Sequence, residues 1–311
     1  MNKQDICFIC ARIKKDYCYD GIKQLGYQIT IPYKDYNIIF RCMRELWYRL
    51  NLPWKSIWYN RKCKKIQAQV YIVRDSLIKP QFLVWLKKQH PDARIVLDYE
   101  NLAKSTIDPD SVDDSIEKWT YDKNDAQRYS MNLKETGIGY YDCWRVEKCI
   151  PPKYDVVYVG RDKGRAEKLL DFELQLQKMG LKTYFHICPD RRFLKYKKRF
   201  YKSLLNYPQY LKLIGNTKVI LNIAQANCES VTLREMEAVF HEIKCITDNK
   251  SIKNWRLYHP SRFFILGEDD LSSLPAFISS DFITASKEDF SLHVFDRLVE
   301  SIYYSKKDLE N

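Results

Sequence analysis

The stretch "DVVYVGRDKGRAEKLLDFELQLQKMGLKTYFHIC", Asp155 to Cys188, decides the fold. Asp155 to Gly160 is an apolar run of strand length and composition. Arg161 to Gly164 is charged and reads as a loop. Arg165 to Gly180 repeats apolar residues at helical spacing and stops at a glycine, the residue that most easily ends a helix in the left-handed region. Lys182 to Cys188 is a second strand. Strand, helix and strand in about 30 residues make a β-α-β unit. Such units build a parallel sheet with helices on its faces.

The same pattern continues on both sides. Toward the C-terminus, "KVILNIA" (Lys218–Ala224), the apolar end of "NCESVTLREMEAVFHEIKCITDN" (Asn227–Asn249) and "RFFILG" (Arg262–Gly267) supply further strands. A long amphipathic helix is expected from about Asp289 to Tyr304. Toward the N-terminus, "CIPPKYD" (Cys149–Asp155) interrupts the pattern with a double proline, the strongest linker signal in the chain. Before it, "ICFIC" (Ile6–Cys10), "VYIV" (Val70–Val73) and "RIVLDYEN" (Arg94–Asn101) read as strands. "NIIFRCMRELWYRL" (Asn37–Leu50), "QFLVWLKKQ" (Gln81–Gln89) and the acid-led "YDKNDAQRY" (Tyr121–Tyr129) read as helices. The expected architecture is α/β, with two Rossmann-like domains facing a cleft. Residues 1–150 form the first domain and 151–290 the second. Residues 291–311 form a C-terminal helix that packs back on the first.

Bulk composition bounds the function. The chain has 311 residues, 45% of them hydrophobic and 30% charged, enough to bury a core. Its net charge is +12, with basic runs at Arg61–Lys65 and Arg191–Lys202. Such runs attract nucleic acid, anionic lipid or phosphorylated substrates, or are simply solvated. Twenty-three tyrosines suit surfaces that are part apolar and part wet, or the edge of a core. No apolar leader or bilayer-length run is visible. The ten cysteines therefore read as reduced and cytosolic, and Cys7 and Cys10 as strand residues rather than metal ligands.

Two stretches carry chemistry. "YVGRDKGR" joins a strand to a helix, where free amides and the helix dipole favour an anion. Arg161, Lys163 and Arg165 add positive charge there, and Gly160 and Gly164 allow a close backbone approach. The alternative is a polar loop with solvated cations. In the second stretch, Thr232 and Glu235 fit a capping box that starts a helix at Leu233. Leu233, Met236 and Phe240 form its apolar stripe, and Glu237 falls inside that stripe. A buried carboxylate needs donors, which ribose hydroxyls, a neighbouring arginine or backbone amides can supply. Glu229 lies in the preceding loop, so that Glu229, Glu237, Gln225, Thr232 and Arg234 are expected to meet at the carboxyl edge of the sheet. Ligands of parallel sheets sit at that edge. By position alone, Asp98, Glu100 and Asn101 are the matching candidates in the first domain. His186 is placed to touch a base or phosphate, whereas His241 and His259 read as structural.

These residues resemble a known family. The β-α-β unit, "LNIAQANCESVTLREMEAVFHEIKCITDN" with its E-x7-E pair, "YHPSRFFIL" and "WTYDKNDAQRY" are similar to GT-B-fold retaining glycosyltransferases of bacterial lipopolysaccharide and capsular polysaccharide biosynthesis. The resemblance covers about Tyr154 to Leu266 and is patchy before Tyr99. It implies a second domain that holds a nucleotide-sugar and a first that holds a glycan or lipid-linked saccharide acceptor. Arg161, Lys163 and Arg165 would meet the diphosphate, aided by the amides of Val231, Thr232 and Leu233. Glu237 would bind the ribose, and Glu229 would lie by the sugar. The "ANCESV" segment departs from the small or glycine-rich run of relatives, and no glycine-rich loop appears near the N-terminus.

The implied reaction is sugar transfer with retention, at the cytoplasmic face of an anionic inner membrane. No metal or other cofactor is expected, and no nucleic acid. A non-catalytic nucleotide-binding relative and a basic nucleic-acid-binding protein are the competing readings, the latter because "KYKKRFYK" interleaves aromatic and basic residues.

Overall fold

The computed structural model describes residues 1–10, 17–34, 37–134, 139–190, 199–223 and 230–305. The chain divides into two compact units, Met1–Thr136 with Leu298–Asn311, and Gly137–Arg297. The divisions fall ahead of the double proline at one end and inside the last helix at the other. Residues before the prolines cluster with the second unit for a packing reason. Tyr140 stacks on Phe240 with ring centroids 4.0 Å apart, and the Cys149 amide donates to the Gly215 carbonyl at 2.8 Å. A Cβ on Gly215 would stand 2.3 Å from the Glu147 carbonyl oxygen, so only glycine admits this approach.

The first unit carries strands β1 (Ile6–Ile9), β2 (Gln28–Thr30), β3 (Val70–Arg74), β4 (Arg94–Tyr99), β5 (Glu117–Thr120) and β6 (Asn132–Leu133). All pair in parallel, in the order β2-β1-β3-β4-β5-β6. Its helices are α1 (Tyr17–Gln24), α2 (Ile38–Arg49), α3 (Lys62–Lys65), α4 (Pro80–Gln89) and α5 (Lys123–Arg128). Pro80 suits the first turn of α4, where its missing N–H costs nothing. Phe82, Leu83 and Leu86 of α4 are wholly buried against Tyr71 and Tyr99 of the sheet, each worth about 1.5–3 kcal/mol. The short strands β2, β5 and β6 have no strong apolar run, and the sequence does not announce them.

The second unit carries β7 (Tyr154–Arg161), β8 (Thr183–Cys188), β9 (Thr217–Asn222), β10 (Lys244–Thr247) and β11 (Phe263–Ile265), all parallel, in the order β11-β10-β9-β7-β8. Its helices are α6 (Ala166–Lys178), α7 (Tyr207–Ile214), α8 (Leu233–Phe240), α9 (Leu274–Ser279) and α10 (Lys287–Ser291). A last helix, α11 (Phe295–Tyr304), follows.

The single helix expected from Asp289 onward is therefore two. Val294 forms a β-bridge with Tyr140, in which the Tyr140 amide donates to the His293 carbonyl at 3.0 Å and the Phe295 amide to the Tyr140 carbonyl at 2.9 Å. That exchange takes both groups out of a helical ladder. The end of α11 is fixed by Arg94. Its guanidinium binds Glu117 through two 2.8 Å contacts and donates to the carbonyls of Ile302 and Tyr303 at 2.9 and 2.8 Å. Helix-end carbonyls need such partners.

Candidate functional site

In the second unit, β7 and β9 end, and α8 begins, at the carboxyl edge of the sheet. The β7–α6 loop turns on two residues in the left-handed region, Lys163 (φ 46°) and Gly164 (φ 76°). Asp162 holds the turn. Its carboxylate accepts from the Ala166 amide at 2.8 Å and from the Tyr201 hydroxyl, and its own amide donates to the Cys188 carbonyl at 2.9 Å. The Tyr201 hydroxyl is accordingly pushed up to about 12 by that hydrogen bond. A Cβ on Gly160 would lie 2.5 Å from the hydroxyl of buried Tyr158, so the glycine here makes room for that ring.

The three cations expected at a diphosphate differ in what they have left to offer. Arg165 donates to the carbonyls of Ile223, Arg161 (3.1 Å) and Asp162 (3.3 Å) and to the Tyr158 hydroxyl (3.2 Å), tying the end of β7 to the end of β9. Arg161 donates to the Asp190 carbonyl at 2.7 Å. Asp190 takes the Lys163 backbone amide, 3.1 Å from each carboxylate oxygen. The Lys163 ammonium has no ion-pair partner among the described residues. Partial withdrawal from water lowers its pKa first, and the charges of Arg165, Arg234 and Arg161 lower it further, against Asp190. Cations crowded in this way are stabilised by an incoming anion.

Helix α8 behaves differently from its expected role. Thr232 caps it, and the Thr232 amide donates to the Glu235 carboxylate at 2.7 Å, so this amide is not available to a phosphate. Val231 packs on an apolar cluster that includes Ala238 and Phe263, and Leu233 opens the helix. Glu235 also accepts from Thr247 at 2.7 Å. Arg234 donates to Asn222 at 3.3 Å and to the Val159 carbonyl.

Glu237, expected on a ribose, is 2% exposed and accepts from the hydroxyls of Tyr207 and Tyr210, 2.6 Å to each oxygen. Burial raises its pKa, while the two phenols and Arg234 oppose that. The donors it required come from α7, not from a sugar. Sequence reasoning missed α7 and both tyrosines. The signal was the capping box of Asn206 and Gln209 around Pro208, directly before an apolar repeat.

His186 lies within β8 opposite Val159 rather than at the open edge. Its Nε2 is 2.8 Å from the Ser203 carbonyl and its Nδ1 is 3.4 Å from the Tyr184 hydroxyl, which leaves it a structural role here. His259 lies in a loop, with Nδ1 2.8 Å from Ser261 Oγ. Gln225 and Glu229 lie outside the described residues, as does most of the basic run from Arg191.

In the first unit the three positional candidates form a charge network at the ends of β3 and β4. Asp98 pairs with Lys134 and lies 3.7 Å from Arg74, and Glu100 pairs with Arg74. Asn101 donates to Asp75, through its amide at 3.2 Å and its side chain at 3.3 Å. Asp75 is 1% exposed, and burial followed by the Asp98 charge pushes its carboxyl up to about 6. The sequence also holds an Asp-x-Asp triplet, Asp108-Pro109-Asp110. The Asp108 carboxylate accepts from the Asp110 amide at 3.2 Å and caps a single 3-10 turn.

Two parallel, helix-covered sheets of six and five strands in one chain define the GT-B class of fold. No protein-family model matches the chain, and no curated protein matches it. Among solved structures it is similar to a lipopolysaccharide outer core galactosyltransferase, WaaB, in its apo form. The TM-score is 0.53 at 12% identity, covering 96% of this chain and 98% of that one. It is also similar to the catalytic domain of starch synthase IV from Arabidopsis thaliana bound to ADP and acarbose (TM-score 0.47, 7% identity, 96% and 99% covered). A third is the spinosyn forosaminyltransferase SpnP (TM-score 0.39, 10% identity, 99% of each chain). The assignment of fold rests on the first of these.

Two measurements check the site. Asp75 holds its proton more tightly folded than unfolded, so its contribution is present below the ordinary carboxylate range and is lost as pH rises through about 6. Asp75→Asn should therefore gain up to about 2–3 kcal/mol over the parent at pH 8 and little at pH 4. Equal differences at both values in urea unfolding would contradict this. Tyr210→Phe removes a donor from a buried carboxylate and should cost about 1–3 kcal/mol. An unchanged denaturation midpoint would show that Glu237 does not depend on it.

Proposed function

We propose that this chain is a glycosyltransferase that moves a sugar from a nucleotide-sugar to a glycan or lipid-linked saccharide in cell-surface polysaccharide biosynthesis. The observation that carries the reading is the Lys163 ammonium, which lacks an ion-pair partner among the described residues and sits among Arg161, Arg165 and Arg234 at the carboxyl edge of a parallel sheet. A leaving diphosphate supplies the missing negative charge there. The likeness in fold to a lipopolysaccharide galactosyltransferase supports the same class of reaction.

In the proposed reaction the bond from the anomeric carbon to the diphosphate oxygen breaks as the acceptor oxygen bonds to the same face. The acceptor hydroxyl passes its proton to the departing phosphate, and configuration is retained. Lys163 meets the charge that develops on the diphosphate. Arg161 supports it, and Arg165 acts by holding the loop in place. No metal is invoked. The chain would work at the cytoplasmic face of a membrane, where lipid-linked acceptors lie. A second reading is a nucleotide-binding relative without turnover, which would use the same Lys163 cluster for a diphosphate while Glu237, held by two tyrosines, would leave the ribose to other groups.

A thermal-shift panel of nucleotide-sugars and free nucleoside diphosphates tests the donor site. At least one base should raise the melting temperature, and Lys163→Gln should weaken that ligand about tenfold or more, about 1.4 kcal/mol. Silence across the panel would sink both readings, and binding without turnover would select the second. NMR of the anomeric proton in the product should show the donor's configuration; the opposite anomer would rule out same-face attack.

A further inference from the structure

Helix α2 is amphipathic, yet none of its residues is buried. Ile39, Cys42, Met43 and Leu46, with Leu50 just beyond the helix, recur at spacings of three and four and line one side. Ile39, Met43, Leu46 and Leu50 are 63%, 48%, 54% and 58% exposed. The helix is anchored through another side. Trp47 and Tyr48 pack on the core, the Tyr48 hydroxyl donates to that of Tyr59 at 3.0 Å, and the Arg44 guanidinium lies 4.2 Å from the centre of the Tyr33 ring. The apolar stripe is thus held outward by contacts that do not involve it.

The turn that follows adds further exposed apolar residues. Trp54 is 77% exposed and adopts a left-handed backbone (φ 53°), a conformation a bulky residue seldom takes. Ile57 is also exposed. Single exposed apolar residues are ordinary, but a stripe of this length along one helix, with more apolar residues exposed in the next turn, marks an interaction surface.

Charge selects the partner. Residues 34–65 contain nine Lys or Arg against two acids, Asp35 and Glu45. An apolar stripe and a tryptophan among cations is the composition of a helix lying in the interface of an anionic bilayer. At 12 residues, about 18 Å, α2 is too short to cross a bilayer, and among the described residues no helix is long and apolar enough to do so. A second copy would bring the same positive surface against itself, which opposes self-association.

We propose that α2 and the turn to Ile57 dock this protein on an anionic lipid surface. Ile39, Met43, Leu46, Leu50 and Trp54 enter the acyl boundary, and Arg61, Lys62, Lys64 and Lys65 face the headgroups. The proposal gives a physical means to the membrane location above, but it needs no sugar transfer, since every residue lies in the first unit.

Flotation of the full chain with phosphatidylcholine vesicles, with and without 30% phosphatidylglycerol, tests it. The parent should float with the anionic vesicles, at least tenfold more weakly with the neutral ones, and progressively less as salt is raised. Met43→Glu with Leu46→Glu should lose binding at least tenfold with an unchanged melting temperature. Glutamine at Arg61, Lys62, Lys64 and Lys65 should weaken binding and flatten its salt dependence. The proposal fails if the parent does not float, or if the double glutamate variant floats as well as the parent. It also fails if the parent is a dimer that this variant dissociates while neither binds lipid. Silence in the nucleotide panel with flotation intact would remove the sugar-transfer reading and leave this one standing.

Discussion

Helix α8 buries two carboxylates and half-buries a guanidinium on different sides, and each is answered from a different element. Glu235 is bound by the Thr232 amide and by Thr247 at the end of β10. Arg234 reaches Asn222 at the end of β9 and the Val159 carbonyl of β7. Glu237 is met by the two phenols of α7. A buried charge without its partner costs several kcal/mol, so these contacts fix the rotation and height of α8 against three strands at once. The carboxyl edge inherits its shape from that requirement. Arg165 extends it by binding β7 to the end of β9, which leaves the β7–α6 loop little freedom.

The first unit solves a related problem with the opposite balance. Arg74 and Lys134 are buried among Asp75, Asp98 and Glu100, with more carboxyls than cations. The excess is carried by Asp75, whose proton is held to about pH 6. In the second unit the excess at the sheet edge is positive and sits on Lys163. Both edges are therefore electrostatically incomplete, one in protons and one in anions.

Much of the fold was legible in the sequence because its long strands are continuous apolar runs and its main helices keep a clean period. β7, α6 and β8 follow the reading of Asp155 to Cys188 closely. The short strands β2, β5 and β6 are set by pairing with neighbours, which leaves no mark in local composition. The split between α10 and α11 depends on Tyr140, more than 150 positions upstream of Val294. The site was legible in residue types more than in roles. The capping box and the acid on the apolar side of α8 were visible, but the partners of Glu237 lie 27 and 30 positions away, on a helix the reading did not find. Arg165 was read as a ligand because a guanidinium beside a glycine-bearing loop looks the same whether it faces a phosphate or four protein acceptors.

The path of the chain has a consequence for the order in which the protein is made. The first unit takes Leu298 to Tyr304 into its packing, and Arg94 holds the last carbonyls of that segment. On a ribosome, the second unit can close as one continuous piece while the first still lacks its final helix. Until then Arg94 has Glu117 but no helix end to bind, and the apolar surface that will receive Leu298, Val299 and Ile302 stays open to water. The unit synthesised first is completed last, and translation leaves its unfinished surface exposed for as long as the second unit takes to emerge.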